Sequence, residues 1–171
     1  FQYIFASGPG GLAYHTNRTL YVFGNSTAQE TTAVFRDPSA WYHIVFSVNS
    51  LSFTLYVNNV SVKTGSANAL STTAGATRIG VYTGGGGATY YFNGYLADIH
   101  FIDGQALDPT SFGDFDTNGI WQPKAYSGSY GTNGFHLDFA DNSTAATLGT
   151  DTSPNGNDWT VNNFNIDSVG G

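Results

Sequence analysis

Short runs of β-branched and aromatic residues, each ended by Gly, Asn, Asp or Ser, recur along nearly the whole chain. Such runs are typical of strands, and the residues between them tolerate the backbone conformations of turns. Stretches with a helical period are nearly absent. The pattern therefore predicts an all-β fold. In the predicted strand FTLYV (53–57), one side carries only apolar residues and the other side carries one Thr and one Tyr. This pattern favours one layer of an antiparallel two-sheet β-sandwich.

Eleven segments predict strands, and four intervening segments predict turns or loops. The strands are FQYIF (1–5), GLAYH (11–15), TLYVF (19–23), WYHIVFSVN (41–49), FTLYV (53–57), VSVK (60–63), TRIGVY (77–82), ATYYF (88–92), YLADIHFI (95–102), GFHLDF (134–139) and DWTVNNF (158–164). Asn58-Asn59 fits a two-residue hairpin turn, and Asp108-Pro109 a capped helical turn. Residues 64–76 are expected to form a surface loop, and residues 114–133 to be irregular.

Charge is scarce and mostly acidic, which excludes some partners. Only 10% of the residues are charged, against about 25% in an average protein, and the net charge is −7. The five basic residues are scattered singly, whereas binding to nucleic acid or to an anionic membrane needs clustered cations. No apolar run reaches the roughly 20 residues that cross a membrane as a helix. A surface of Thr, Ser, Asn and Gly favours an extracellular or particle protein.

Catalytic patterns are weak throughout. A glycosidase needs two carboxylates about 5–9 Å apart, but Glu30 is the only Glu, and the odd spacing of Asp98 and Asp103 places them on opposite faces of a strand. Asp98 and His100 share a face without a second carboxylate, which favours a structural role. The sequence therefore predicts no catalytic residue.

The sequence also gives no indication of a nucleophilic catalytic site or of a zinc site. The chain has no Cys and no G-x-S-x-G motif. The four His, which lack spacing such as H-x-x-x-H, argue against zinc. They are His15, His43, His100 and His136.

Calcium is the one metal for which a pattern is present. Asp151, Ser153, Asn155 and the Gly that follows match the first half of a calcium-binding loop, so these three residues are candidate calcium ligands. The twelfth position is Asn162 rather than the bidentate Glu. Asx turns explain the same residues without an ion, and the sequence leaves both explanations open.

Aromatic residues outside the predicted core are candidates for stacking on sugars. They are Tyr82, Tyr90, Tyr91, Trp121 and Trp159. Since adjacent strand residues face opposite ways, only one of Tyr90 and Tyr91 can be a core residue. Two further aromatic residues, Trp41 and Phe101, are expected in the core.

Two longer segments carry a family resemblance. WYHIVFSVNSLSFTLYVNNVSVK and FNGYLADIHFIDGQALDPTSFG resemble the concanavalin A-like jelly roll in its laminin-G-like and pentraxin-like forms. The resemblance implies a jelly-roll core over residues 1–113 and a C-terminal extension, 114–171, with one or two returning strands. Such domains usually begin with one or two further strands, so we expect these to lie upstream or another chain to complete the sheet.

The segment GTNGFHLDFADNSTAATLGTDTSPNGNDWTVNNF is similar to segments that follow such jelly rolls in virion proteins of tailed, especially marine, bacteriophages. This resemblance implies a non-catalytic structural or appendage module of a virion, in capsid decoration or a fibre. Its expected partners are other virion proteins or copies of itself, with a trimer as the expected assembly, and host-cell glycans. The alternative is a carbohydrate-binding domain of a secreted bacterial protein, and the third hypothesis is a glycoside hydrolase.

Overall fold

Two compact units make up the chain. Unit 1 contains Phe1–Asn93 and Ala106–Tyr126, and unit 2 contains Gly94–Gln105 and Ser127–Gly171. Within the described part of the chain, regular structure consists of short strands and two 3₁₀ turns, and every strand pair is antiparallel, which confirms the predicted all-β fold. The computed structural model describes residues 1–8, 10–24, 29–66, 77–83, 87, 89–162 and 166.

The described residues of unit 1 form two sheets and two separate strand pairs. The strands are β1 (Gln2–Ser7), β2 (Gly10–Tyr14), β3 (Leu20–Phe23), β4 (Gln29–Glu30), β5 (Ile44–Asn49), β6 (Ser52–Val57), β7 (Val60–Ser66), β8 (Thr77–Ile79), β9 (Val81–Thr83), β10 (Thr89–Tyr91), β12 (Gly113–Phe115) and β13 (Trp121–Pro123). One sheet has five strands in the order β4-β3-β2-β1-β8, the other has three in the order β5-β6-β7, and the strand pairs are β9–β10 and β12–β13.

The core of unit 1 lies between the five-stranded and three-stranded sheets. It is formed by alternate residues of β3 and β6, with one residue of β2, as the two-residue period of a strand requires. Each such side chain contributes about 1.5–3 kcal/mol through burial. The core residues are Leu12, Leu20, Val22, Phe53, Leu55 and Val57.

Two predicted turns are confirmed. Asn58 and Asn59 have φ angles of 47° and 67°, and they connect β6 with β7 as a two-residue turn. The side chain of Asp108 accepts a hydrogen bond from the backbone N–H of Thr110 at 2.9 Å, and Pro109 opens the 3₁₀ turn that follows. Local sequence alone dictated both features, because each depends on the conformational preferences of adjacent residues.

Other predictions need correction. The segment 114–133 is not irregular throughout, since part of it forms the β12–β13 hairpin. The predicted strand 95–102 shortens to β11 (Ile99–Phe101), because Asp98 has a φ of 53°, which an extended strand does not allow. Residues 158–162 form no strand, and 163–164 lie outside the described residues.

Trp41 is not a core residue, since 66% of it is exposed. It precedes β5, which begins only at Ile44, so the alternation of the strand does not reach it. Phe101 is half-buried and stacks on Phe135, with ring centroids 5.5 Å apart. In the predicted loop 64–76, residues 64–66 belong to β7, which extends to Ser66, and residues 67–76 lie outside the described part of the chain.

Unit 2 has little regular structure. Its described residues contain β11, which pairs with β14 (Phe135–Leu137), and a 3₁₀ turn at Ala146–Gly149. The predicted boundary at residue 113 stays a prediction. None of the helical segments in the described part of the chain is long and apolar enough to cross a membrane.

Candidate functional site

An aromatic surface covers the side of the five-stranded sheet that is opposite the core. In the sheet register Tyr3 pairs with Ala13, and Ala13 pairs with Tyr21, so these side chains share one face. Leu12 and Val22, one position along, point to the other face and into the core. The surface, called here the aromatic face, consists of Phe1, Tyr3, Tyr21, Phe23, Tyr82 and Tyr90.

The rings of the aromatic face contact one another continuously. Tyr3 lies at the centre: its ring stacks on that of Tyr82 at 4.6 Å between centroids, meets the edge of Phe23 at 5.0 Å and lies 5.7 Å from Tyr90. Tyr21 and Phe23 are nearly parallel, with 7° between their planes. Offset and edge contacts of this kind each contribute about 0.5–1.5 kcal/mol beyond burial, so they hold the rings in fixed positions.

A glycine makes the close packing of these rings on the sheet possible. Gly11 is paired with Phe23, and a Cβ at Gly11 would lie 2.7 Å from the Phe23 ring. Ala13 is fully buried beside it. These small residues leave room for the rings to lie against the backbone, so the sheet forms the floor of the aromatic face.

The edges of the aromatic face are accessible, whereas its centre is not. Tyr90 is 41% exposed and Phe1 is 40% exposed, but Tyr3 is only 8% exposed. Burial raises the pKa of the Tyr3 hydroxyl. The neighbouring phenol groups raise this pKa further, and Tyr82 has the largest effect among them. Tyr3 is therefore uncharged at neutral pH, and the exposed rings are available for stacking.

A small cleft adjoins this surface. It has a volume of about 170 Å³ and is lined by Ala6, Gly8, Arg78, Tyr82 and Thr83. Its lining residues include the phenol of Tyr82, the hydroxyl of Thr83 and the guanidinium group of Arg78. A guanidinium group donates hydrogen bonds in a fixed, forked geometry. These are the groups that bind sugar rings and their hydroxyl or carboxylate substituents.

The five aromatic residues that were predicted to bind glycans fall in different places. Tyr82 and Tyr90 are cross-strand partners on the aromatic face, whereas Tyr91 pairs with Val81 on the other face of that hairpin and is 64% exposed. Neither Tyr90 nor Tyr91 is therefore a core residue. Their role in glycan binding stays a prediction.

The two tryptophans on that list have structural partners. The indole Nε1–H of Trp121 donates to His43 Nδ1 at 2.9 Å, and its ring packs against Phe115. Trp159 belongs to unit 2, where its ring meets the edge of Phe135 at 4.8 Å. Four members of the aromatic face were not on the list, although Tyr21 and Phe23 alternate along TLYVF, a signal of a shared face that the sequence already contains.

A second cluster of polar side chains lies in unit 2. The Oδ1 atom of Asp98 lies 2.6 Å from His136 Nε2 and 3.4 Å from His100 Nε2. The two imidazole rings stack, with centroids 4.0 Å apart and 10° between planes. The sequence-based prediction against zinc took the four His to be isolated from one another. That premise is wrong for these two, because the pairing of β11 with β14 sets His100 directly opposite His136.

The remaining ring nitrogens of this cluster are also engaged. His100 Nδ1 lies 2.8 Å from the hydroxyl of Tyr130, and His136 Nδ1 lies 2.9 Å from Thr152 Oγ1. The His side chains are 11% and 21% exposed, whereas that of Asp98 is 53% exposed. The cluster is thus held by the protein on the imidazole side and open to solvent on the carboxylate side.

The three residues predicted as calcium ligands lie in one turn, but hydrogen bonds already occupy the carboxylate of Asp151. Its Oδ1 accepts from the backbone N–H groups of His136 and Ser153, both at 2.8 Å. Its Oδ2 accepts from Ser153 Oγ at 2.9 Å and from Asn157 N at 2.7 Å. An ion would have to displace these donors, and the Asx-turn explanation accounts for the residues without one. Calcium binding stays a prediction.

The environment of Asp151 also affects its ionisation. Burial by itself would raise the pKa of the carboxyl, but the hydrogen bonds from His136, Ser153 and Asn157 outweigh it, and the pKa is lowered. The carboxylate is therefore charged and serves as an acceptor for buried donors, the expected state of a structural anion. Asn155 acts in the same turn, because its side-chain amide donates to the carbonyls of Gly131 and Gly134.

Glu30, the only glutamate, is occupied as well. Its carboxylate accepts from Asn17 Nδ2 at 3.1 Å and from Thr19 Oγ1 at 3.4 Å, and it lies 3.4 Å from His15 Nδ1. These contacts tie together the ends of the β2–β3 hairpin and β4. They favour a structural role for Glu30.

Comparison with known proteins gives one match. A laminin-G-type family model of the concanavalin A-like lectin/glucanases superfamily matches residues 3–111, well over half of the 171-residue chain. No curated protein and no solved structure shows a significant match. The matched region contains most of unit 1 and all of the aromatic face except Phe1.

Proposed function

Because the chain belongs to the concanavalin A-like lectin/glucanases superfamily, we propose that it is a non-catalytic module that binds glycans through the aromatic face of unit 1. The observation that carries the proposal is the continuous set of rings with accessible members at its edges. Sugar rings present flat C–H faces, which stack on aromatic side chains, while hydroxyls bind polar groups nearby. Arg78 and Thr83 supply such polar groups in the adjoining cleft.

The contacts of the carboxylate groups support a non-catalytic role. Glu30 and Asp151 are engaged by hydrogen bonds, and Asp98 faces two imidazoles. Among the residues that the structure describes, the cleft beside Tyr82 is lined by Ala6, Gly8, Arg78, Tyr82 and Thr83, none of which carries a carboxylate. A glycosidase needs a pair of carboxylates on either side of the scissile bond.

Glycan binding can be tested with a single tyrosine. We expect Tyr90→Ala to weaken binding about tenfold, since the loss of one stacking ring costs about 1–1.5 kcal/mol. Tyr90→Phe should retain most of the affinity because it keeps the ring. The measurement is affinity electrophoresis of the full chain through gels containing a panel of neutral and acidic polysaccharides, followed by calorimetry on those that retard it.

Tyr95→Ala is the matched control, because Tyr95 is 85% exposed and belongs to unit 2. Tyr91→Ala tests the opposite side of the hairpin. Retardation by no polysaccharide, or equal retardation of the wild type and Tyr90→Ala, would contradict the proposal. Release of new reducing ends that is lost in Asp98→Asn would instead establish a glycosidase.

We also propose that the chain is an appendage or decoration protein in the virion of a tailed bacteriophage. Its support is the resemblance of residues 131–164 to segments of phage virion proteins and the scarcity of charged residues. We expect the chain to assemble as a trimer, as measured by light scattering on the purified protein and by its copy number in the particle. A monomer that is absent from particles would favour the alternative, a carbohydrate-binding domain of a secreted bacterial protein.

A further inference from the structure

We propose that Asp98, His100 and His136 in unit 2 form a zinc-binding site, with Asp98 Oδ1 and the two imidazole Nε2 atoms as ligands. One ligand atom from each of these three residues lies within 4.8 Å of the other two. Two imidazoles and one carboxylate are a donor set that suits zinc, whereas calcium and magnesium prefer oxygen ligands alone. The site is independent of the aromatic face and goes beyond the proposed glycan binding.

The two distances from Asp98 Oδ1 to the imidazole nitrogens can be compared with those of a tetrahedral site. With zinc–ligand bonds of about 2.0–2.1 Å, ligand atoms lie roughly 3.3 Å apart. The distance between Asp98 Oδ1 and His100 Nε2 is 3.4 Å, and that between Asp98 Oδ1 and His136 Nε2 is 2.6 Å. The second pair has to open by roughly 0.7 Å to reach this spacing, and the exposed Asp98 side chain can make that movement. Because each Nε2 lone pair lies in the plane of its ring, the two nearly parallel rings also have to turn toward one point when the ion binds.

The other face of each imidazole has the support that metal-binding histidines use. A ligating His usually donates its second N–H to a neighbouring acceptor, which fixes the ring orientation. Here Tyr130 OH lies beside His100 Nδ1, and Thr152 Oγ1 beside His136 Nδ1. Thr152 Oγ1 also donates to the backbone carbonyl of His136 at 3.2 Å, so its lone pairs are left to accept from Nδ1.

Asp98 Oδ1 and His136 Nε2 lie 2.6 Å apart, the distance of a hydrogen bond. A zinc ion that binds both atoms would take the place of the proton that they share.

Bound zinc would join two distant parts of the chain. Asp98 and His136 are 38 residues apart, and they lie on the two segments that make up unit 2. Because unit 2 has little regular structure among its described residues, a metal that links these segments would stabilise it. The exposed side of Asp98 leaves coordination positions for water or for a donor group from another molecule.

The test is a titration of the full chain, stripped of metal with a chelator, with Zn²⁺ in a calorimeter. We expect one equivalent to bind and the Tm to rise with Zn²⁺ concentration. Asp98→Asn and His100→Gln should each weaken binding at least about tenfold and remove the rise in Tm. Thr152→Val should weaken binding about tenfold, the effect expected of a residue that orients a ligand.

His15→Gln and Asp138→Asn are the matched controls, since they make the same chemical changes outside the cluster and should bind zinc as the wild type does. Asp98→Asn changes an exposed side chain, so it reports on the site even if His100→Gln fails to fold. Zinc binding that is weaker than about 1 mM in the wild type, or that survives unchanged in Asp98→Asn, would overturn the proposal. Competition by Ca²⁺ at equal concentration would also overturn it.

Discussion

Replacing Asp151 by alanine is expected to lower the free energy of unfolding of unit 2 by about 3 kcal/mol or more. The carboxylate accepts four hydrogen bonds, from His136, Ser153 and Asn157, and its removal leaves these donors without their acceptor. A hydrogen bond to a charged group contributes about 1.5–3 kcal/mol, and an unsatisfied buried donor costs about 1–3 kcal/mol. The effect is large because one side chain organises the whole turn.

Native-state hydrogen exchange is the appropriate measurement, because it reports on unit 2 separately from unit 1. The amide protons of His136, Ser153 and Asn157 should lose protection in Asp151→Ala. Asp138→Ala is the matched control, since Asp138 is exposed and its carboxylate accepts from the Ala140 N–H. Equal losses of protection in the two variants would show that the hydrogen bonds of Asp151 have no special role.

Replacing Leu55 by alanine should destabilise unit 1 by about 3 kcal/mol. Leu55 is fully buried at the centre of β6, where it packs in the cluster that includes Leu12, Val22 and Phe53. Truncation of a buried leucine removes its transfer free energy and leaves a cavity, and together these effects cost about 2–5 kcal/mol. Because Leu55 lies between the two sheets, its loss weakens the contact that holds them together.

Urea unfolding of the full chain, followed by tryptophan and tyrosine fluorescence, measures this effect. Leu51→Ala provides the matched control: the same atoms are removed from a residue that is 66% exposed, so the expected change is within about 0.5 kcal/mol. A change in Leu55→Ala as small as that in Leu51→Ala would mean that the two sheets do not share the core described here.

Much of unit 1 could be predicted from the sequence, because its signals are local. Alternation along TLYVF and FTLYV predicted β3 and β6, and Asn58-Asn59 predicted the turn between β6 and β7. The shortening of the strand at 95–102 was not predictable in this way. Asp98 adopts a positive φ angle, which Asp tolerates but which its neighbours in the sequence do not require.

The candidate sites also combine features that local sequence predicts with features that only the fold determines. Tyr82 and Tyr90 were identified as aromatic residues outside the predicted core, which is a local feature of the sequence. The alternation of Tyr21 and Phe23 along one strand was a local signal, but their proximity to Phe1 and Tyr3 depends on strands that come together only in the folded sheet. His100 and His136 appeared unrelated for the same reason, as the sequence does not state which strands will pair.

The sequence by itself determined the class of the fold and the type of elements such as β3, β6 and the turn at Asn58-Asn59, because strand period, turn conformations and capping act between residues close in the chain. Only the tertiary structure decided which side chains meet: the six rings of the aromatic face, and Asp98 and His100 with His136. The physical reason is register. Pairing between distant strands selects which face each residue occupies, and a shift of one residue would reverse that choice.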